Sequence, residues 1–304
     1  MRVAVHISDC DGICSAALIL RKYPNAEITF WTPVNIVNTD EYFDLVVDLP
    51  KPKNAKVNID HHYTNFERLK REGRLTNTDK IDPKAPSAAS LLIKYLHLEE
   101  DIIAQEIEEM ASLADQGKLT NENLILDKLI KSSIKDHEFL RHLARALSQK
   151  GKRFLEEEKI KQAWINLNKL YEQIKKVLEQ TVDEFDLPAR VLVINERDVV
   201  PYYMAKDIAY MFFEKKGTDA VALIYNDPES PERTRISIRV NSSCDYINAR
   251  TIAESLGGGG HIKAAGALFD SEVEAVAKII DAMSNYAPKN AVVYIRLKRH
   301  LTKS

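Results

Sequence analysis

The stretch RVAVHISDCDGICSAALILRK, residues 2–22, carries the first decision about the fold. Residues 2–7 are short, apolar and β-branched, the pattern of a buried strand. Residues 12–23 have the length and composition of a helix, and residues 27–31 form a second apolar run. Strand, helix and strand at this pitch predict a right-handed βαβ unit on a parallel sheet. Residues 45–49 and 56–60 read as two further strands. Because residues 3–5 already read as strand, the beginning of the chain is not expected to be a signal peptide.

The composition narrows the class. The chain has 304 residues, 43 basic and 45 acidic, for a formal net charge of −2. That length predicts two domains with interiors large enough to fold without cross-links. A 45% hydrophobic fraction excludes wholesale disorder. The balanced charge argues against holding long nucleic acid by a global field, though it leaves room for a local basic groove. Apolar runs such as residues 16–20 end too soon to span a bilayer, so no membrane partner is expected. Cys10, Cys14 and Cys244 are odd in number and lack zinc spacing, as expected for a reducing cytoplasm.

Beyond residue 87 the pattern turns helical, with Ile102, Ile103, Ile107, Met110 and Ala111 marking one face and a further helix predicted over 124–147. Ile160, Trp164, Leu167, Tyr171, Ile174, Leu178, Val182 and Phe185 then step by three or four residues along one long amphipathic helix. It reads either as a connector packed on its own domain or as a dimer helix. Pro188 closes it, which predicts domains over 1–186 and 187–304. The second domain alternates again: strands at 190–195, 220–225 and 235–240, and helices at 201–216, 246–255 and 271–283. A loop of four glycines, 257–260, precedes a short strand.

The chemistry gathers at strand ends. The first strand runs into His6-Ile-Ser-Asp9-Cys-Asp11-Gly12, the third into Asp48, and the fourth into Asp60-His61-His62. In an open parallel sheet, groups just past the carboxyl ends of the strands share one crevice. His6, Asp9, Asp11, Asp48, Asp60, His61 and His62 are therefore expected to converge. So many carboxylates would repel one another unless cations neutralised them. Mixed imidazole and carboxylate ligands suit Mn²⁺, Zn²⁺ or Fe²⁺ better than Ca²⁺. By pattern alone, Asp115 reads as an ordinary helix-end turn.

These motifs, with Asp115 added, resemble the four motifs of the DHH phosphoesterases. In the second domain, Ser237-x-Arg239 followed by Gly258-Gly259-Gly260-His261-x-x-Ala264-Ala265-Gly266 is similar to the DHHA1 substrate-binding module. The resemblance covers nearly the whole chain, motif by motif and in order. It implies an α/β fold with an N-terminal parallel-sheet DHH domain, joined by a long helix to a smaller α/β DHHA1 domain. It further implies a metal-dependent phosphodiesterase or exonuclease acting on the ends of single-stranded DNA or RNA, or on short oligonucleotides. The alternatives are a small-nucleotide phosphoesterase, acting on a cyclic dinucleotide or 3′-phosphoadenosine phosphate, and a non-catalytic replication-associated binding protein. Two divalent ions are implied, Mn²⁺ first, with Mg²⁺ or Co²⁺ as alternatives.

Residue by residue, the resemblance implies that His6 and Asp9 hold one ion and that Asp11, His61 and Asp115 hold the other, with Asp48 between them. Asp60 would orient a metal-bound imidazole, and His62 would face the scissile phosphate. Arg239, Gly258, Gly259, Gly260 and His261 would bind substrate, the glycines by bringing backbone N–H groups close to a phosphate. Many relatives place one more residue between the first His and the first Asp, a departure that bears on His6. Replication or repair proteins and a second copy of the chain are the protein partners in view.

Overall fold

The computed structural model describes residues 1–118, 120–184, 190–197, 199–228, 230–286 and 292–297. Two compact units divide the chain, residues 1–167 and 168–304.

The first unit begins with β1 (Arg2–His6), α1 (Cys10–Lys22), β2 (Glu27–Trp31), α2 (Pro33–Val37), β3 (Phe43–Val47) and β4 (Ala55–Asp60). It continues with α3 (Tyr63–Arg71), β5 (Lys80–Ile81), α4 (Ala88–Tyr95), α5 (Ile102–Asp115), α6 (Asn121–Ser132), α7 (His137–Lys150) and the start of α8 (Glu158–Glu184). All five strands are parallel, in the order β2-β1-β3-β4-β5. Strand order reverses at β1, so the ends of β1 and β3 flank the switch point where such sheets bind ligands. Helix α1 follows β1 immediately because Asp9 caps it, accepting from the Gly12 amide at 3.0 Å. Arg21 and Lys22 in the last turn complement the helix dipole. Residues 10–20 of α1 are all buried.

Several sequence expectations shift in detail. The apolar face of α5 is Ala104, Ile107, Met110 and Ala111, whereas Ile102 is exposed because it occupies the first turn beyond the Asp101 cap. The helix expected over 124–147 is two helices, broken where Asp136 caps α7 by accepting from the Phe139 amide at 2.9 Å. The division between units falls inside α8 instead of after residue 186. Ile160 and Leu167 are buried in the first half of that helix, while Ile174 and Leu178 belong to a core of the second unit. Trp164 and Tyr171, between them, are half-buried. Phe185 lies outside the described residues.

The second unit holds β6 (Val191–Asn195), α9 (Ala205–Lys216), β7 (Ala220–Asn226), β8 (Thr234–Val240), α10 (Ala249–Ser255), β9 (Gly259–Gly260), β10 (Ala264–Phe269), α11 (Glu272–Tyr286) and β11 (Val292–Arg296). Its sheet is mixed, ordered β11-β6-β7-β8-β10-β9, with parallel pairing up to β7 and antiparallel pairing beyond. Alternation along β8 sends Ile236, Ile238 and Val240 into a core with α10 and α11. Helix α9 packs in a second core with Leu192, Ile194, Val221 and Leu223.

Candidate metal centre

Strand register builds the centre. Val5, Val47 and Ile59 lie side by side across β1, β3 and β4, so the next residues, His6, Asp48 and Asp60, emerge together. The His6 Nδ1 lies 2.7 Å from Asp9 Oδ2 and 3.3 Å from Asp48 Oδ2. Its other nitrogen, Nε2, lies 3.0 Å from Ser8 Oγ, a partner able to hold Nε2–H and leave Nδ1 free for a cation. On the other side, His61 Nε2 lies 3.1 Å from Asp115 Oδ2, 3.7 Å from Asp11 Oδ2 and 3.8 Å from Asp48 Oδ1. His61 Nδ1 faces the Ala85 carbonyl at 3.4 Å, which directs Nε2 toward the carboxylates.

Among the described residues, three overlapping sets of groups could hold a metal ion: His6–Asp9–Asp48, Asp11–His61–Asp115 and Asp48–His61–His62. The short His6-to-Asp9 spacing therefore still brings His6 into the cluster. Asp115, unremarkable in sequence, reaches it because α5 ends there.

Asp11 has a second attachment. Its two oxygens accept from the Ala88 and Ala89 amides at 2.6 and 2.9 Å, placing the carboxylate on the N-terminus of α4. Burial, with Asp115 and Asp9 close by, nevertheless pushes its carboxyl up to about 7. Burial and the same crowding by Asp11 and Asp9 push Asp48 well above the usual carboxylate range. Asp48 also sits at φ +56°, a left-handed conformation that costs a side-chain-bearing residue about 1–3 kcal/mol. Its buried Oδ1 has no hydrogen-bond partner. An orphaned carboxylate oxygen among crowded acids and imidazoles is what a divalent cation would satisfy, so the donor set fits one.

Asp60 holds a histidine ring, and that ring is His62. Its Oδ1 receives the His61 and His62 amides at 2.8 and 3.2 Å and faces His62 Nδ1 at 2.8 Å. It therefore orients His62, while the His61 ring turns to Ala85. The hydrogen bond to Asp60 raises the His62 pKa against the opposing effect of burial. Cys10, the first residue of α1, is buried and its thiol pushed up by burial, as for a structural thiol.

The metal-free centre should respond to pH. For His61, burial lowers the pKa but contacts with Asp115 and Asp11 outweigh it, raising it to about 9. A raised folded-state value stabilises below the unfolded value near 6.5 and is lost as pH rises through about 9. Asp11, holding its proton to about 7, shifts stability in the same direction. Metal-free protein should therefore lose stability between about pH 6.5 and 9, and Mn²⁺ should remove most of that loss. Thermal unfolding with and without Mn²⁺ across that range checks this; a metal-free profile flat or rising with pH contradicts it.

The second unit gives a different picture of the glycine motif. The Gly257 and Gly258 amides are used to close α10, donating to Glu254 and Ala253 carbonyls at 3.1 and 2.8 Å. A Cβ at Gly258 would lie 2.1 Å from the Gly266 carbonyl oxygen, and one at Gly260 2.6 Å from Ala265 Cα. These two glycines are thus demanded by backbone packing, and Gly259 and Gly260 form the short strand β9. Gly259 alone of the three has open space beside it. His261 is exposed at the turn into β10, its amide donating to the Ala264 carbonyl at 2.7 Å. Arg239, paired in register with Ala264, lines a groove of about 400 Å³ with Tyr210, Phe213, Asn241 and Lys263. Its Nε is buried without a hydrogen-bond partner. The glycines and His261 do not line that groove.

The first unit is of the class that carries a carboxylate–imidazole centre at the switch point of a parallel sheet. Residues 190–289 match the DHHA1 domain. Among solved structures, the chain resembles the pGpG-specific phosphodiesterase PggH from Vibrio cholerae, with TM-score 0.63 and 15% identity over 92% of this chain and 98% of that one. RecJ from Thermus thermophilus, in complex with Mn²⁺, aligns with TM-score 0.55 and 18% identity, over 97% of this chain but 54% of that one. An exopolyphosphatase-related protein from Bacteroides fragilis aligns with TM-score 0.50 and 16% identity, over 94% and 92%. No curated protein matches the sequence. The likeness to PggH and to RecJ, at 15% and 18% identity, shows a fold shared over most of this chain.

Proposed function

We propose that the protein is a two-metal phosphodiesterase that removes nucleotides from the ends of single-stranded DNA or RNA, or degrades short oligonucleotides. The observation that carries this reading is the pair of ligand sets, His6–Asp9 and Asp11–His61–Asp115, with Asp48 between them. Two divalent ions there, Mn²⁺ first among them, would activate water and stabilise charge on the phosphate under attack.

The protein's own groups divide the remaining work. Asp48 contributes one oxygen to each side of the cluster. Asp11, fixed by two amides of α4, and His61, turned by Ala85, present ligand atoms with little freedom to move. His62, half exposed and held through Nδ1 by Asp60, keeps Nε2 as the nitrogen that can donate to a phosphate oxygen or to the departing sugar oxygen. Arg239, lining the groove of the second unit, supplies a guanidinium suited to a phosphate. The likeness to PggH, which spans nearly that whole chain, favours short oligonucleotides over long strands.

A chain-shortening assay on end-labelled DNA and RNA of several lengths, with Mn²⁺, tests the reading. Mononucleotide release abolished by chelation supports it; cleavage that survives exhaustive chelation, or equally rapid cutting of circular strands, overturns it. Within that assay, Arg239→Ala should weaken oligonucleotide binding ~10- to 100-fold, the loss of a charged phosphate contact. It should leave hydrolysis of a small activated phosphodiester nearly unchanged. Equal losses on both substrates would show that Arg239 serves folding.

A further inference from the structure

Two buried asparagines behind the centre form a connection that the proposed reaction leaves unused. Asn58, in β4, has no solvent exposure, and Asn65, in α3, has 3%. The Asn58 Nδ2 donates to the carbonyls of Val46 and Leu49 at 3.1 and 3.0 Å. Those carbonyls bracket Asp48, the residue held at φ +56°. The Asn58 Oδ1 accepts from Asn65 Nδ2 at 2.8 Å. The other Nδ2 hydrogen of Asn65 goes to Asp60 Oδ2 at 2.6 Å, and the opposite oxygen of Asp60 holds His62. The Asn65 Oδ1 accepts from the Lys51 amide at 3.3 Å and from Arg68 Nη2 at 3.1 Å.

We infer that Asn58 and Asn65 are positioning residues that set the backbone of Asp48 and the ring of His62 through one amide-to-amide hydrogen bond. Each carboxamide has its donors and its acceptor used in one orientation only. Turning Asn58 over would set its oxygen against two carbonyl oxygens, and turning Asn65 over would set its oxygen against Asp60. Carboxylates of the same size fail at both places, since neither has a hydrogen to give. The buried Lys51–Asp79 pair braces this arrangement, Asp79 accepting from Lys51 Nζ at 2.8 Å and from the Asn58 amide at 2.9 Å. The arrangement does not depend on a metal, although its use in catalysis rests on the two-metal reading.

The test uses Asn58→Asp, Asn58→Ser and Asn65→Asp in the full chain, with Leu143→Ala, a cavity in the α7 core, as the control for general destabilisation. In metal-free crystals, Asn58→Ser should release Asp48 from its left-handed conformation, and Asn65→Asp should part His62 Nδ1 from Asp60. Mn²⁺ titration should then show affinity for the weaker ion reduced ~10- to 100-fold in the Asn58 variants, as for loss of a group that orients a ligand. Asn65→Asp should lower kcat with KM and Mn²⁺ uptake little changed. Leu143→Ala should lower the unfolding temperature and move none of these. Unchanged Asp48 and His62 geometry in the metal-free variants overturns the inference, whatever the wild type binds. Unaltered geometry is distinct from a wild type that takes up fewer than two ions, which overturns the two-metal reading instead. Should Asn58→Asp fail to fold, Asn58→Ser and Asn65→Asp decide the matter.

Discussion

Asp48→Asn is expected to abolish measurable turnover while leaving the metal-free protein at least as stable as the wild type. The two effects have opposite signs for one reason. In the metal-free centre, Asp48 is a buried carboxylate crowded by Asp11 and Asp9, with one oxygen unpartnered. Replacing a carboxyl that burial and two neighbouring acids disfavour by a neutral group of the same shape removes that repulsion. Asparagine also tolerates the left-handed backbone at φ +56°, so the turn after β3 should survive. The same change removes the one carboxylate that reaches both sides of the cluster. Loss of a group that merely orients a ligand typically costs about 10- to 100-fold, so loss of this ligand should exceed ~100-fold. Metal counting should give fewer than two ions per chain. Two tightly held ions, or activity within about tenfold of wild type, would remove Asp48 from its central place.

Gly12→Ala should be the most damaging small substitution in the first unit. A Cβ at Gly12 would lie 2.0 Å from the His6 carbonyl oxygen and 2.8 Å from His6 Cβ. Neither atom can yield cheaply, since both belong to the end of β1 and to a residue of the centre. Overpacking of this kind costs about 1–3 kcal/mol, and more when backbone must move. The damage should extend to metal binding, because Asp9 caps the helix through this same amide. Denaturant unfolding and Mn²⁺ titration of the variant check both effects. A stability change below about 0.5 kcal/mol, the range of an ordinary surface substitution, would contradict the close packing of α1 on β1.

The parallel sheet and most of the cluster were legible because buried strands and charged strand ends write different residue types. Helix α3 was not legible, for a physical reason. Its buried positions are Asn65 and Leu69, so an asparagine stands where an apolar residue would mark the helix face. The signal that could have found Asn58 and Asn65 is a polar residue inside the apolar run of β4, with a second one a helical turn past His61-His62. Ser8 and its contact with His6 were equally silent. Helix α2 spans five residues and β5 two, too few to show a period. The glycine motif was legible as a motif but not in its role, since amides that cap α10 and backbones that touch leave no trace in composition. Asp115 became legible only through the family resemblance, because an aspartate at a helix end usually has a local explanation.

A single cluster in the first unit is expected to hold a pair of cations, and the proposed chemistry stands or falls on that pair. Anomalous diffraction at the manganese edge from crystals soaked in Mn²⁺ tests it most directly. The expected result is two peaks per chain, one bonded by His6 and Asp9, the other by Asp11, His61 and Asp115, with Asp48 touching both. A single peak, or two peaks that do not share Asp48, would contradict it.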